Sequence, residues 1–316
     1  MYESLLQLDP IRINFSNSGS FILNIVLAFI MFGIALGIKT EQFKKLILSP
    51  KPLVLGVVLQ SIALPAVTFL LVILFSGVIT PTIAMGMILV AACPGGNISN
   101  FMSSFSKGNT ELSVSLTAIS TGLAVFMTPL NFLLWGTLYV NFINKRAVEM
   151  LQPLMIDYFQ VFQTVFIILG IPIILGILCS KYLPTIAEKL KKPLQWLSII
   201  FFVALVVIMF SNNWQLFIKH IHFVFILVLI HNAVAFLTGY GGATLFKQSD
   251  KNRRTLTIET GIQNSGLGLV LLFNPKIFPP ELAIGGMLFI TAWWGIWHIV
   301  SGLAISTYWS RRPPKD

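Results

Sequence analysis

The 316 residues are 56% hydrophobic and only 10% charged, with a mean hydropathy of +0.85. Soluble domains carry about 25% charged residues, so the composition excludes an ordinary water-soluble enzyme or binding module and indicates a polytopic membrane protein. The net charge of +10 does not make a nucleic-acid footprint, because the basic residues sit between apolar runs, where they set membrane orientation.

Residues 1–20 (MYESLLQLDPIRINFSNSGS) lack a basic n-region and carry Glu3 and Asp9, so they are expected to form a non-spanning tail and not a signal peptide. Apolar runs of about 20 residues, enough to cross a bilayer, follow near 21–38, 53–77, 82–105, 112–140, 159–180, 194–212, 222–246, 255–273 and 282–309. The expectation is an all-α polytopic membrane domain of nine transmembrane helices over 21–309, followed by a cytoplasmic tail at 310–316. The two cysteines, Cys93 and Cys179, lie in these apolar runs and offer neither a disulfide framework nor zinc spacing. Of the 21 Lys and Arg, five (Arg12, Lys145, Arg146, Lys219 and Lys276) lie on the N-terminal side of the membrane and the other sixteen on the opposite side. That excess predicts N-terminus outside, C-terminus inside and an odd span count, in a cell membrane expected to be a bacterial inner membrane.

The third run, TIAMGMILVAACPGGNISNFMSSF, places Pro94, Gly95 and Gly96 in mid-span, followed at once by Asn97, Ser99 and Asn100. The eighth, TLTIETGIQNSGLGLVLLF, sets Gly261, Gly266 and Gly268 around a polar group that includes Glu259, Gln263 and Asn264. Backbone released from helix bonding is tolerated at membrane depth only where protein or a water-filled cavity satisfies it. Runs three and eight are five apart and so cross in opposite senses; four would match nine, two would match seven and one would match six. This predicts an inverted repeat, about 21–140 and about 159–309, with two broken helices at matching places, the pattern of secondary transporters with sites near the midplane.

Glu259 is the one acidic residue of eleven that falls inside a span. A charge at that depth costs about 2.5–3.5 kcal/mol or more, so function is the default expectation. No Lys or Arg lies within a span to pair with it, and its neutralising partner must come from solution as a proton or a metal cation. Neutral oxygens of Gln60, Ser99, Asn100, Ser113, Thr117 and Gln263, with carbonyls freed at Thr260 and Ile262, suit Na⁺ better than Ca²⁺ or zinc. Plainer roles exist for several residues: Ser113 and Thr117, one turn apart, are of a type that joins helices, and His231 and His298 taken singly are packing groups. Trp293, Trp294 and Trp297 either narrow a cavity or pack against lipid. There is no HExxH and no second in-span acid, so no enzyme signal is found. Two transporter readings remain, a sodium-coupled symporter and a cation/proton antiporter in which Glu259 carries the proton.

CPGGNISN (93–100) followed by KGNTELSVSLTAIST (107–121), together with TLTIETGIQNSG (255–266) and WHIVSG (297–302), resembles the bile acid:sodium symporter family over roughly residues 24–309. The resemblance implies a core and a panel domain, two Na⁺ sites beside crossed broken helices, and a cavity for an organic anion such as a bile acid or related carboxylate. By motif, one Na⁺ falls to Ser99, Asn100, Ser113, Thr117 and Glu259. The other falls to Gln60, Glu259 and Gln263 with the carbonyls of Thr260 and Ile262. Asn97, Asn264 and His298 match positions that face substrate. The chain departs from the family in two places: it lacks the leading helix of ten-span bacterial members, and it has Ile299 where several members have Asn.

Overall fold

The computed structural model describes residues 1–11, 17–37, 50–144, 163, 166–212, 214–275, 277–279 and 282–315. The start of the fifth apolar run and the charged residues Arg12, Lys39, Lys44, Lys45, Lys145, Arg146 and Lys276 lie outside these. Among the described residues the chain is helical and holds no strand.

A short helix α1 (Tyr2–Leu6) precedes α2 (Asn17–Ala35) and α3 (Pro50–Leu74), the latter interrupted by a π-helical turn at Leu59–Ala63. The third apolar run is divided into α4 (Pro81–Ala92) and α5 (Ile98–Phe105), and α6 (Thr110–Asn144) follows. Next come α7 (Ile171–Tyr182), α8 (Pro184–Asn212) and α9 (Trp214–Leu245). The eighth run is divided into α10 (Asp250–Gly261) and α11 (Ser265–Leu272), and α12 (Gly285–Ser310) completes the set. Four helical stretches, Pro50–Leu74, Thr110–Ile143, Ile218–Leu245 and Gly285–Ser310, are long and apolar enough to cross a membrane, and α4 and α7 are shorter apolar helices.

Helix α8 starts at Pro184, ten residues ahead of the apolar run expected at 194. Hydropathy finds the part of a helix that suits lipid, whereas the helix itself continues through the exposed Glu188, Lys189 and Lys192. Proline opens α3, α4 and α8, where its missing N–H is one that a helix start leaves unbonded anyway.

Helices α2, α7 and α8 pack on one another, and α3 to α6 pack with α9 to α12. Close approach in the second group relies on glycine. A Cβ on Gly239 of α9 would lie 2.7 Å from the Leu256 carbonyl of α10, and one on Gly86 of α4 would lie 2.8 Å from the Cα of Met287 on α12.

Two turns of the same construction bring the site's helices together. Lys107 after α5 and Lys247 after α9 take positive φ, 59° and 51°. Around the first, Gly108 N donates to Ser103 O (2.9 Å) and Lys107 N to Ser104 O (3.0 Å); around the second, Gln248 N donates to Ala243 O (2.9 Å) and Lys247 N to Thr244 O (3.0 Å). This is the Schellman pattern, which satisfies the carbonyls a helix end leaves open. Asn109 and Ser249 then cap the next helices, accepting from Leu112 N at 3.0 Å and Asn252 N at 3.3 Å. The turns touch each other: Asn109 Nδ2 donates to Asn252 Oδ1 (2.9 Å), and Thr255 Oγ1 donates to Asn109 O (3.1 Å).

The N-terminal residues are packed down, with Leu5, Leu8 and Ile11 buried. The Asp9 carboxylate accepts from Thr80 Oγ1 at 3.0 Å and from Thr82 Oγ1, while its backbone carbonyl accepts from Gly285 N at 3.0 Å. Asp9 thereby joins the first turns of α4 and α12, where helix dipoles favour a negative charge. Burial raises its pKa above the ordinary aspartate value, and the Thr82 and Thr80 hydroxyls offset part of that rise.

Candidate functional site

Where α4 and α5 are separated, Pro94 withholds a donor; where α10 and α11 are separated, the chain runs extended through Ile262. The two unwound segments meet in an antiparallel bridge between Gly95 and Gln263. Gly96 N donates to Ile262 O (2.9 Å) and Asn264 N donates to Pro94 O (2.8 Å), so each break supplies backbone partners for the other. Gly95 leaves room at the contact for the Gln60 side chain. A Cβ there would lie 2.5 Å from Gln60 Nε2 and 3.3 Å from Glu259 Oε2, filling the space between amide and carboxylate.

The end of α10 leaves a row of carbonyls without helical donors, and buried ones must be answered. Glu259 O accepts from Gln60 Nε2, Thr260 O from Gln263 Nε2 and Gly261 O from Asn232 Nδ2, each at 2.8 Å. Asn232 Oδ1 in turn accepts from Ser301 Oγ at 2.5 Å, which ties α9 and α12 into the same network. Three side-chain amides from three places in the chain thus finish one half-helix.

The Glu259 side chain, 2% exposed, turns toward α5 and α6. Its Oε1 accepts from Ser99 Oγ at 2.6 Å and from Ser113 Oγ, and its Oε2 accepts from Thr117 Oγ1 at 3.1 Å. Asn100 Oδ1 accepts from Ser113 Oγ (2.9 Å) and Thr117 Oγ1 (3.2 Å) as well. All five residues expected for the first cation set are therefore brought together. Six oxygens (two of Glu259, one of Asn100 and three hydroxyls) share three hydroxyl protons. A cluster so rich in lone pairs and so poor in donors fits a hard, oxygen-seeking monovalent cation.

Of the second set, Gln60 and Gln263 both meet the end of α10. Each gives its amide nitrogen to an α10 carbonyl, and each keeps a buried Oε1 with no hydrogen-bond partner. Orphaned buried acceptors need a reason, and these two amide oxygens fit a bound cation; the Thr260 and Ile262 carbonyls expected with them accept from Gln263 Nε2 and Gly96 N in this structure. Gln60 owes its place to the π turn of α3, a feature common at functional sites and invisible in the residue pattern.

Of the residues expected to face substrate, Asn97 is exposed at the start of α5 and lines a cavity of about 200 Å³. Asn100, Thr117 and Thr121 share that wall, with Ile34 and Lys191 across from them. Asn264 instead caps α11, its Oδ1 accepting from Leu267 N at 3.0 Å. His298 is buried on α12, and neither residue lines this cavity.

All three tryptophans pack against aromatic neighbours. Trp294 is fully buried with its ring 4.6 Å from that of His231, whose Nε2 lies 2.9 Å from Thr68 Oγ1. Trp293 and Trp297 pack on Phe225. Ile299 packs against a buried cluster of Met102, Phe236, Ile258 and Ile262 beneath the crossing, so the residue that departs from the family supports the break. The residues reasoning from sequence passed over are Asn232 as a carbonyl cap, Ser301 within WHIVSG, and Arg254.

Residues 24–220 match the Sodium Bile acid symporter family. The uncharacterized sodium-dependent transporter YocS of Bacillus subtilis (strain 168) is 33% identical over 293 residues, which cover 93% of this chain and 84% of that protein. Sodium/bile acid cotransporter 4 of Homo sapiens is 28% identical over 295 residues, 90% of this chain and 64% of that protein; the chain thus spans somewhat less than two thirds of the human relative. With a match over more than half its length and a relative above 30% identity, the chain belongs to the Sodium Bile acid symporter family, a family of transporters and not of enzymes.

Proposed function

We propose that the chain is a sodium-coupled symporter of organic anions, working by alternating access with two Na⁺ per substrate. The observation that carries the reading is the Glu259 cluster at the contact of the two unwound segments: its carboxylate gathers the hydroxyls of the first set, and Gln60 and Gln263 at the end of the same half-helix keep two unpartnered amide oxygens. In this reading one Na⁺ is held by Ser99, Asn100, Ser113, Thr117 and Glu259. The other is held by Gln60, Glu259, Gln263 and the carbonyls of Thr260 and Ile262. Nine spans with the N-terminus outside, in inverted repeats on either side of residues 141–158, place these sets near the midplane. Asn97, on the cavity wall, meets an anion of the bile acid or related carboxylate class, which the human relative's name supports; Asn264 and His298, which lie off that wall here, would join it in another state of the transport cycle.

Charge decides the coupling. With Glu259 ionised, two Na⁺ leave the site at +1 where water is scarce, and a monovalent anion completes neutrality. Ions and substrate then favour each other's binding, and linkage makes that help reciprocal. If Glu259 returns empty and ionised, each cycle moves one net positive charge inward, and an inside-negative potential contributes about 2.3 kcal/mol per 100 mV. A cation/proton antiporter would use Glu259 alone and would leave the free oxygens of Gln60 and Gln263 without a role.

The test is uptake of taurocholate and of pyruvate into proteoliposomes, with and without a Na⁺ gradient, at a potassium-clamped potential. Sodium-dependent uptake that rises with inside-negative voltage is expected. Transport that ignores voltage, or one Na⁺ per monovalent anion, overturns the two-sodium mechanism.

A further inference from the structure

We propose that Arg254 is a positioning residue for the cation cluster: it fixes α10 against the end of α5 and so sets where Glu259 meets Ser99. The proposal rests on the sodium reading above. Arg254 is 3% exposed. Its Nη1 donates to the carbonyls of Ser106 (2.9 Å), Trp309 (3.1 Å) and Arg312 (3.0 Å). Its Nη2 donates to Asp250 Oδ2 (2.9 Å) and to the carbonyl of Pro313 (3.3 Å).

Burying a guanidinium is costly unless its donors are met; here four carbonyls and a carboxylate meet the two Nη groups, while Nε is buried without a partner. Ser106 closes α5, and Trp309 and Arg312 lie at the end of α12. The cation therefore sits where two helices present their negative ends. It touches no member of the cation cluster, so its influence is exerted through the helices.

Helices α5 and α10 pack together and are tied at two points, Ser106 to Arg254 and Ser99 to Glu259. The ties show the two helices running antiparallel. At 1.5 Å per residue they are about 10 Å apart along α5 and about 7.5 Å apart along α10. Asn109 in the turn after α5 also holds Asn252 and Thr255 of α10; the Arg254 and Glu259 ties add direct contacts between the two helices, one at each end of the contact, and so fix their register. The Ser99 hydroxyl then falls on the Glu259 carboxylate without any adjustment when a cation arrives. Lysine keeps the charge but not the planar fork, and a single ammonium cannot reach acceptors spread over two helix ends and a third helix.

The test is calorimetric titration of Na⁺ into the purified full-length protein for wild type, Arg254→Lys, Ser99→Ala and the double variant, with Glu259→Gln alongside. Melting of the Na⁺-free proteins reports folding. Arg254→Lys is expected to weaken Na⁺ binding about tenfold, in the range for residues that orient metal ligands. In the Ser99→Ala background, where the contact it positions is already gone, the further loss is expected to be under about twofold. A residue that merely stabilises the fold gives the same factor in both backgrounds, and that result, or a native Na⁺ affinity in folded Arg254→Lys, overturns the proposal. If Arg254→Lys fails to fold, Asp250→Asn, which removes the carboxylate anchor and keeps the guanidinium, takes its place in the cycle. Wild-type Na⁺ affinity in Glu259→Gln sinks the sodium reading and this proposal together, whereas loss of binding in Glu259→Gln with an additive cycle sinks only the role of Arg254.

Discussion

Gln263 turns its amide nitrogen back onto the carbonyl of Thr260, 2.8 Å away, and so leaves its own Oε1 buried without a donor. Gln60 does the same with Glu259 O. Replacing either glutamine by alanine removes one ligand proposed for the second set and one cap of α10. We expect Gln60→Ala and Gln263→Ala to reduce Na⁺ affinity at that set by about 10–100-fold. The Hill coefficient for Na⁺ in uptake should fall from near two toward one. Thr117→Ala should have the same effect through the first set. A Hill coefficient unchanged in all three variants contradicts two separate sets.

Glu259→Gln keeps an acceptor for the Ser99, Ser113 and Thr117 hydroxyls but removes the charge that the two proposed sets would share. The variant should fold, melt at or above the wild-type temperature, and lose Na⁺-dependent uptake. Relief from a buried carboxylate gives the direction of the stability change. Sodium binding by calorimetry at wild-type strength in this variant rules the assignment out.

How much of this was legible beforehand varies with the kind of contact. Proline and glycine punctuate the chain wherever it folds, so the breaks at Pro94–Gly96 and near Gly261 could be read directly, and a lone in-span carboxylate advertises itself by its cost. The cluster partners of Glu259 were legible because hydroxyls one turn apart on α6, and at the start of α5, share its chemistry. The amide caps were not. An asparagine in an apolar helix looks the same whether it holds a neighbouring helix or, like Asn232, a carbonyl left open by a break. Arg254 reads as a loop charge because the apolar run begins only at the next residue, while its burial comes from carbonyls of Ser106 and Trp309 far off in sequence. The π turn under Gln60 depends on packing between helices, which local composition does not encode.

The basic asymmetry predicts that residues 191 and 219 face opposite sides of the membrane. Single cysteines at Lys191 and Lys219, in a protein with Cys93 and Cys179 replaced, should react with a membrane-impermeant thiol reagent from inside and outside respectively. Labelling of both from one side removes the N-out topology and the inverted repeat with it.

Asp9 provides a pH-dependent contact. Its folded pKa is raised, chiefly by burial, so the folded tail holds the proton more tightly than the unfolded tail, whose aspartate titrates near pH 4. The tail's packing is therefore strongest below that pH and weakens as pH rises through the folded pKa. Hydrogen exchange at the Gly285 amide, which donates to Asp9 O, should show more protection at pH 4 than at pH 7 after correction for the intrinsic rate. Asp9→Asn should flatten the difference. Equal protection at both pH values in wild type refutes the linkage.

The span of sequence separating the cluster's members sets an order of events during synthesis. Ser113 and Glu259 are 146 residues apart, and Gln60 lies 199 residues from the carbonyl it caps. At about 5–20 residues per second, the hydroxyls on α5 and α6 emerge on the order of ten seconds before the carboxylate that answers them. A ribosome-bound chain therefore carries a half-built, water-seeking polar patch in the bilayer through much of its insertion. Only the arrival of α10, with Glu259, closes it.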